Sequence, residues 1–568
     1  MSEKKINSLQ PSKEEIQPLL LAFNNRNFEK AIAIGTDLME IYPNTFFVCN
    51  ILGSCFANIG QITKSLEYFK KAYQIEPSVP ESCSNLAMAF MHLKEFDQAV
   101  TYFEKAIENN NDIPEVHFNY GISLANLEKN KLAIKSYKKA IELKPDFIFA
   151  YYNLGLLLWK INDLENSLET LKKANSMHPN NPEILASLGA VYKAAGELKD
   201  AEINTKKALE IKLDPKYKFN LAAIIRDQGD LDRARSLYEE TISLDNNFAE
   251  AYNNLGEVLR DLGNSTLARE SFEKALTLKS DFGIANYNLG ILFQDANELS
   301  KASEYFKKSE VFDWRQRVCY CAYKNNNHLV FKEMLENLKK FRHDSPLVAS
   351  ISSHYSQNNG KKDDYFFCPD PISFIKKTKI NAITDEKNEY LNQIIKDIEN
   401  SEIAERKQGR LINGTQSAGN LFKREEKSLR MLAGLILVEI DNYVSKFKKN
   451  SCEFINLFPQ KPEFQSSWFV KMTKEGHLTS HIHETGWLSG VLYLKLPTQN
   501  KEKNEGSIEF GFQGDNYPNL KPLPTRQFTV EVGDLILFPS SVFHKTLPFF
   551  SNEERICVAF DVSPPPID

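Results

Sequence analysis

A small residue returns every 34 residues through the first half of the chain, at Gly53, Ala87, Gly121, Gly155, Gly189, Ala222, Gly256 and Gly290, with one step of 33 between Gly189 and Ala222. Twelve residues after each stands Ser65, Ala99, Ala133, Ser167, Ala201, Ala234, Ala268 or Ala302. Nineteen after each stands Ala72, Ala106, Ala140, Ala174, Ala208, Thr241, Ala275 or Ser309. Most copies place an aromatic ring at the sixteenth position: Phe69, Phe103, Tyr137, Tyr238, Phe272 and Phe306. Pro77, Pro145 and Pro179 close three of the units. Such a unit holds two short amphipathic helices, with small residues where the helices cross and rings filling the space between neighbours. Proline ends the second helix. One unit alone cannot bury its apolar face, so the copies must stack into an array.

This pattern resembles the tetratricopeptide repeat. Ala31 and Pro43 fit a degenerate ninth copy, which extends the expected array over residues 12–312. Residues 313–362 read as a helical cap and linker, broken by the polar turn Asn325-Asn326-Asn327. In this family the first helix of each unit lines a concave groove. Two residues before the small position stands Asn85, Asn119, Asn153, Asn220, Asn254 or Asn288. Stacked, these carboxamides offer donors and acceptors that can grip the backbone of an extended peptide. The competing reading is structural, with asparagine orienting adjacent helices.

Composition narrows the partners. Lys and Arg total 70 against 75 Asp and Glu, a net charge of −5, so nothing supports broad electrostatic binding to nucleic acid or to a membrane surface. No apolar run approaches the roughly 20 residues of a bilayer span, and the first residues lack the apolar stretch of a signal peptide. The eight cysteines form no CxxC pair and are expected to be reduced, buried thiols. A cytoplasmic protein is the expectation.

From residue 363 the texture changes. Cys368-Pro369-Asp370-Pro371 is a turn-rich entry, followed by helical patterns around 386–400 and 424–447 with a polar loop, Gly414 to Asn420, between them. Short β-rich segments then follow at Trp468–Val470, Leu488–Leu496, Ser507–Phe512, Phe528–Val532, Leu535–Phe538 and Ile556–Val562. Helices followed by short strands and glycine turns predict an α+β unit on a small barrel or jelly roll.

Histidine is the scarce residue, ten in 568, yet His477, His481 and His483 crowd together and His544 follows on the β-rich tail. In an extended segment His481 and His483 share a face and can approach one ion together. The ordered set His481-Ile482-His483, Leu488 to Leu494, Gly533-Asp534, Phe538-Pro539-Ser540, His544 and Arg555 resembles an iron(II)- and 2-oxoglutarate-dependent oxygenase of the prolyl-hydroxylase-like group, with HxH in place of the commoner HxD. The resemblance covers residues 363–568 and implies a double-stranded β-helix core. It implies iron(II), 2-oxoglutarate as cosubstrate and ascorbate as an aid. It also implies His481, His483 and His544 as metal ligands, with Tyr493 and Arg555 holding the cosubstrate carboxylate. No further catalytic side chain is expected, and replacing His483 by Asp is expected to retain iron. Ser489 shares a strand face with Tyr493 and is read as packing, and His477 as a surface residue. Three imidazoles leave the site one negative charge short, and Glu484 is the alternative third ligand. The function implied is hydroxylation of a protein or peptide recruited by the groove. Two alternatives stand beside it: a scaffold with a silent oxygenase-like domain, and a three-histidine dioxygenase without 2-oxoglutarate.

Overall fold

A computed structural model describes residues 10–311, 313–384, 388–400, 405–406, 410–417, 420–498, 504–514 and 517–565. The chain divides into two compact units, Met1–Lys212 and Leu213–Asp568.

The first unit is built of antiparallel helix pairs, from Lys13–Asn24 with Phe28–Ile41 to Pro182–Ala194 with Leu198–Ile211. The periodic small residues have a direct steric cause. A Cβ added at Gly53 would lie 2.5 Å from the Phe69 ring, and one at Gly121 would lie 2.7 Å from Tyr137. Each ring sixteen positions on therefore packs against the backbone that the glycine leaves bare. The residues twelve and nineteen on, such as Ser65, Ala99, Ala72 and Ala106, are fully buried, as is Ala31 in the first pair. Between the two helices of a pair the chain turns through a left-handed residue: Arg26, Gly60, Lys94, Glu128, Asn162 and Gly196 keep the same 34-residue step.

The second unit begins with three more pairs, Pro215–Asp227 with Leu231–Leu244, Ala249–Asp261 with Ser265–Leu278, and Gly283–Asp295 with Leu299–Ser309. Helices Trp314–Lys324, His328–Leu338 and Pro346–Asn359 follow. Their apolar faces do not end the repeats on a solvent-facing surface. Tyr323, Phe331, Leu347, Val348 and Ile351 join one continuous core with Tyr365, Phe367, Trp487, Leu492 and Phe560 of the β-rich region. A buried polar cluster lies in the same junction. The Tyr323 hydroxyl meets His354 Nδ1 at 2.5 Å, His354 Nε2 donates to Gln513 Oε1 at 3.1 Å, and Asn358 donates to the Pro518 carbonyl at 2.6 Å.

The β-rich region has ten strands among the described residues: β1 Lys376–Lys379, β2 Glu405–Arg406, β3 Leu411–Ser417, β4 Phe464–Leu478, β5 Leu488–Lys495, β6 Ile508–Gly511, β7 Thr525–Phe528, β8 Asp534–Pro539, β9 Phe543–Thr546 and β10 Arg555–Val562. Seven form a major sheet in the order β1-β8-β5-β10-β4-β3-β2, and three a minor sheet in the order β7-β6-β9. Val470, Val491, Ile536 and Cys557 of the major sheet pack on Ile508, Phe510 and Val542 beside the minor one. Two facing antiparallel sheets around such a core make the jelly roll. Helices Glu389–Asn400 and Lys427–Phe447 cover its outer side through Leu391, Ile394, Leu432 and Ile436.

Two strand assignments correct the sequence reading. The expected polar loop 414–420 is strand through Ser417, because polar side chains suit a strand that faces a cavity; Ala418 and Gly419 lie outside the described residues. The strand expected at 528–532 runs instead over Thr525–Phe528, where it is largely exposed and carries no apolar signal. Lysine-rich β1 is an edge strand, a position where charge is favoured.

Candidate metal centre

The segment after β4 is pinned on both sides. His481 exchanges backbone hydrogen bonds with His544 of β9, at 3.1 and 2.9 Å, and so extends the minor sheet by one bridge. The His483 amide donates to the Ser540 carbonyl at 3.1 Å, and the Trp487 amide to Val562 at 2.9 Å. Extended geometry then sends His481 and His483 to one side and Ile482 to the other, where it enters the core. That alternation explains an apolar residue between two polar ones.

His481, His483 and His544 each bring a ring nitrogen within 4.8 Å of the others. Their rings are wedged by Phe538 and Trp468, whose centroids lie 4.6 Å from His544 and 5.6 Å from His483. Nδ1 of His481 faces the Thr479 carbonyl at 2.8 Å, and Nδ1 of His544 faces Val542 at 3.3 Å. A carbonyl only accepts, so both Nδ1 atoms carry hydrogen and both Nε2 atoms keep a free lone pair. Burial, and next the neighbouring histidines, push His481 down to about 3 and His544 well below the ordinary imidazole range. The rings are thus neutral, as metal ligands must be.

His483 is held differently. Its Nδ1 meets the Asp561 carboxylate on β10, which also accepts from Ser489 at 2.7 Å and from Ser466 at 3.1 Å. Burial acts to raise Asp561, but the adjacent His483 and these hydrogen bonds outweigh it and keep the carboxyl below its usual range. The negative charge missing from the ligand set therefore stands directly behind it. Ser489, read as packing, is the hinge of this group, since it also contacts Ser540 at 2.8 Å. Glu484 turns away and pairs with Arg317 at 2.6 Å. His477 lies on β4 with its Nδ1 on the Glu475 carbonyl, outside the cluster.

A cavity of about 360 Å³ between the sheets is lined by the triad, Asp561, Tyr493 and Arg555, with Trp468, Val470 and Met472 among its apolar walls. Arg555 is fully buried, yet Nη1 alone has a partner, the Gly506 carbonyl at 2.8 Å, while Nε and Nη2 have none. The guanidinium lies 5.1 Å from the centre of the Tyr493 ring, and the buried Tyr493 hydroxyl is also without a partner. Burial raises that phenol, with Arg555 acting in the opposite direction. A dry, unpaired guanidinium is costly, and a carboxylate would satisfy both orphaned N–H groups at once. The donor set thus fits a metal at one end and a carboxylate at the other. Asp561 and Arg410, which also lines the cavity, were missed by sequence reading. The signal for Asp561 was a single charge within the apolar run Ile556–Val562.

The asparagines are placed less uniformly. In the first unit Asn85 donates to Asn50 at 2.7 Å, Asn153 donates to its own helix at Phe149, and Asn119 is half-buried. In the second unit Asn288 donates to Asn253 at 3.0 Å and to Glu257 at 2.9 Å, Asn254 donates to the Tyr238 hydroxyl at 3.3 Å, and Asn220 is half-buried.

Comparison with known families agrees with both halves. The family model described as "Putative 2OG-Fe(II) oxygenase" matches residues 466–561. Tetratricopeptide repeat models match residues 48–79, 80–112, 124–162, 150–181, 217–281 and 254–313. The chain therefore carries a tetratricopeptide repeat array, of a kind that generally mediates protein–protein contacts, followed by an oxygenase-type domain. No curated protein matches. Among solved structures, MamA from Desulfovibrio magneticus RS-1 is 23% identical, with 29% of this chain and 94% of that one covered and a TM-score of 0.29. A tetratricopeptide repeat protein from Parabacteroides merdae is 18% identical, covering 45% and 98%, with a TM-score of 0.39. Pseudomonas aeruginosa pilF is 19% identical, covering 35% and 91%, with a TM-score of 0.32. Among the described residues no helix is long and apolar enough to cross a membrane.

Proposed function

We propose that this chain is an iron(II)- and 2-oxoglutarate-dependent dioxygenase that hydroxylates a protein or peptide brought to it by the repeat groove. The observation that carries this reading is the buried, half-satisfied Arg555 beside the unpartnered Tyr493 hydroxyl, in the same cavity as three clustered imidazoles. His481, His483 and His544 would hold the metal, leaving positions open for other ligands. When bound, iron(II) with 2-oxoglutarate and dioxygen supplies the oxidising chemistry that couples decarboxylation of the oxo acid to hydroxylation of a C–H bond. Thr479 and Val542 keep the Nδ1 protons of two ligands in place, and Asp561 holds that of the third. Arg555 and Tyr493 bind and orient the distal carboxylate of the cosubstrate, and the Trp468, Val470 and Met472 wall excludes water. Eight free, buried thiols support residence in a reducing compartment such as the cytoplasm.

The test is succinate release from 2-oxoglutarate by the full chain with iron(II) and ascorbate, without added substrate. Slow release that is abolished in His544→Ala supports the proposal. Equal release by the variant, or none by either protein, overturns it in favour of a scaffold.

A further inference from the structure

Glu484 follows the ligand His483 directly, yet its carboxylate faces the repeats. It meets Nη1 of Arg317 at 2.6 Å, and the Arg317 side chain is only 8% exposed. Arg317 belongs to the helix that follows the last repeat pair, and its Nε donates to Asp313 at 3.0 Å and to the Tyr287 hydroxyl at 3.1 Å. Tyr287, on the first helix of that pair, in turn donates to Asp313 at 3.0 Å. Every polar atom that fixes Arg317 thus comes from the helical side, and the arginine reaches out to one residue of the metal-binding segment. On the barrel side the same segment is held by backbone bonds at His481, His483 and Trp487, by Ser480 Oγ donating to the Gln513 carbonyl at 2.7 Å, and by His483 Nδ1 on Asp561. None of these ties engages the Glu484 side chain, and a segment fixed on its barrel side still needs its outer face fixed if two rings are to keep one geometry.

We propose that Arg317 is a positioning residue for the metal centre: through Glu484 it clamps the His481–His483 segment to the end of the repeat array, so that the array's last helices complete the site. This rests on the metal-centre reading above. A guanidinium fork suits the task because Nε faces Asp313 and Tyr287 while a second nitrogen, Nη1, reaches Glu484, a spread that the single nitrogen of a lysine does not reproduce.

The experiment uses cobalt(II) as a probe, with the ligand-field absorption of the full chain followed during titration. Arg317→Met and Glu484→Gln should each weaken cobalt(II) binding about tenfold and alter the band shape, while helical circular dichroism stays as in the parent. The double variant should bind no more weakly than either single one, since one clamp is lost in each case. Arg317→Lys should recover part of the affinity. If Arg317→Met does not fold, the partly exposed Glu484→Gln carries the test alone. Parent-like affinity and band shape in folded Glu484→Gln would overturn the clamp while leaving the metal centre intact. A parent chain that binds no cobalt(II) would overturn the metal centre itself, and the clamp with it.

Discussion

The Asp561 carboxylate lies 2.5 Å from Nδ1 of His483, so the histidine standing where related sites have an acid is itself backed by an acid. The charge has been moved one ring outward. A carboxylate there fixes the tautomer and raises the basicity of Nε2.

Asp561→Asn should therefore keep the fold and weaken iron(II) binding by about tenfold, measured anaerobically on the full chain. The geometry also revises the expectation for His483→Asp. That variant sets two carboxylates against each other and should bind iron(II) more weakly than the parent. Adding Asp561→Asn should restore part of the loss. Stronger binding by His483→Asp alone would refute the role given to Asp561.

Arg555 and Tyr493 predict a graded effect on the cosubstrate. Arg555→Gln removes a charged donor and should raise the KM for 2-oxoglutarate by roughly 10–100-fold, matching about 1.5–3 kcal/mol for hydrogen bonds to a charged group. Tyr493→Phe removes one hydroxyl and should raise it by only about 2–10-fold. The reverse order in steady-state kinetics would show that Arg555 serves structure rather than the carboxylate.

Acid should destabilise the metal-free protein earlier than carboxylate titration alone would. His481, His544 and His354 all have folded pKa values below the unfolded one, chiefly through burial. Below about pH 6.5 the unfolded chain takes up protons that the fold refuses, so stability falls as pH falls, by up to about 1.4 kcal/mol per pH unit for each group. Asp363, raised to about 6 by burial, works the other way, favouring the fold as pH drops from about 6 towards 4, and Asp295 and Asp344, also raised by burial, act in the same direction. Between pH 7 and 5 the histidines prevail, because they act from about pH 6.5 downward and each of these carboxyls only below its own folded value. Urea unfolding should show a lower midpoint at pH 5 than at pH 7, and an equal or higher midpoint would contradict these burial effects.

Cutting the chain at residue 362 should not release a folded oxygenase domain. The cut removes Tyr323, Phe331, Leu347, Val348 and Ile351 from the shared core. At roughly 1.5–3 kcal/mol per buried side chain, their loss is comparable to the about 5–15 kcal/mol that holds a typical domain together. A fragment starting at Leu213 keeps the core and should fold. Circular dichroism and gel filtration of the two fragments decide this, and a compact, cooperative 363–568 fragment would count against it.

The asparagines can be separated by stability. Asn288→Ala removes the donor shared by Asn253 and Glu257 and should lower stability by about 1–3 kcal/mol. Half-buried Asn119 and Asn220 should tolerate alanine within about 0.5 kcal/mol while weakening capture of a peptide partner. Denaturant midpoints beside partner titrations separate the two roles.

The repeats were legible because their period records a contact within the unit, a small residue against the side chain sixteen residues on, a ring in most units, as at Gly53 and Phe69. The triad was legible because histidine is rare here and extended backbone sets i and i+2 on one face. Asp561 and Arg317 were not, because their partners lie 78 and 167 residues away in the chain and no local pattern ties them together. β3 was misread for a related reason. Its Gln416 and Ser417 line the cavity and its Thr415 donates to Glu405 of β2, and polarity without alternation looks like loop.

The core shared by the helices after the repeats and the jelly roll sets an order of events during synthesis. Leu347 and Val348 leave the ribosome some 200 residues before Val562, the last of their core partners. At about 5–20 residues per second, that is a wait of roughly 10–40 s with an apolar surface uncovered. The repeats can stack as they emerge, whereas these three helices cannot finish folding until the final strand arrives. Nascent chains stalled before that strand are where chaperone engagement and aggregation should concentrate.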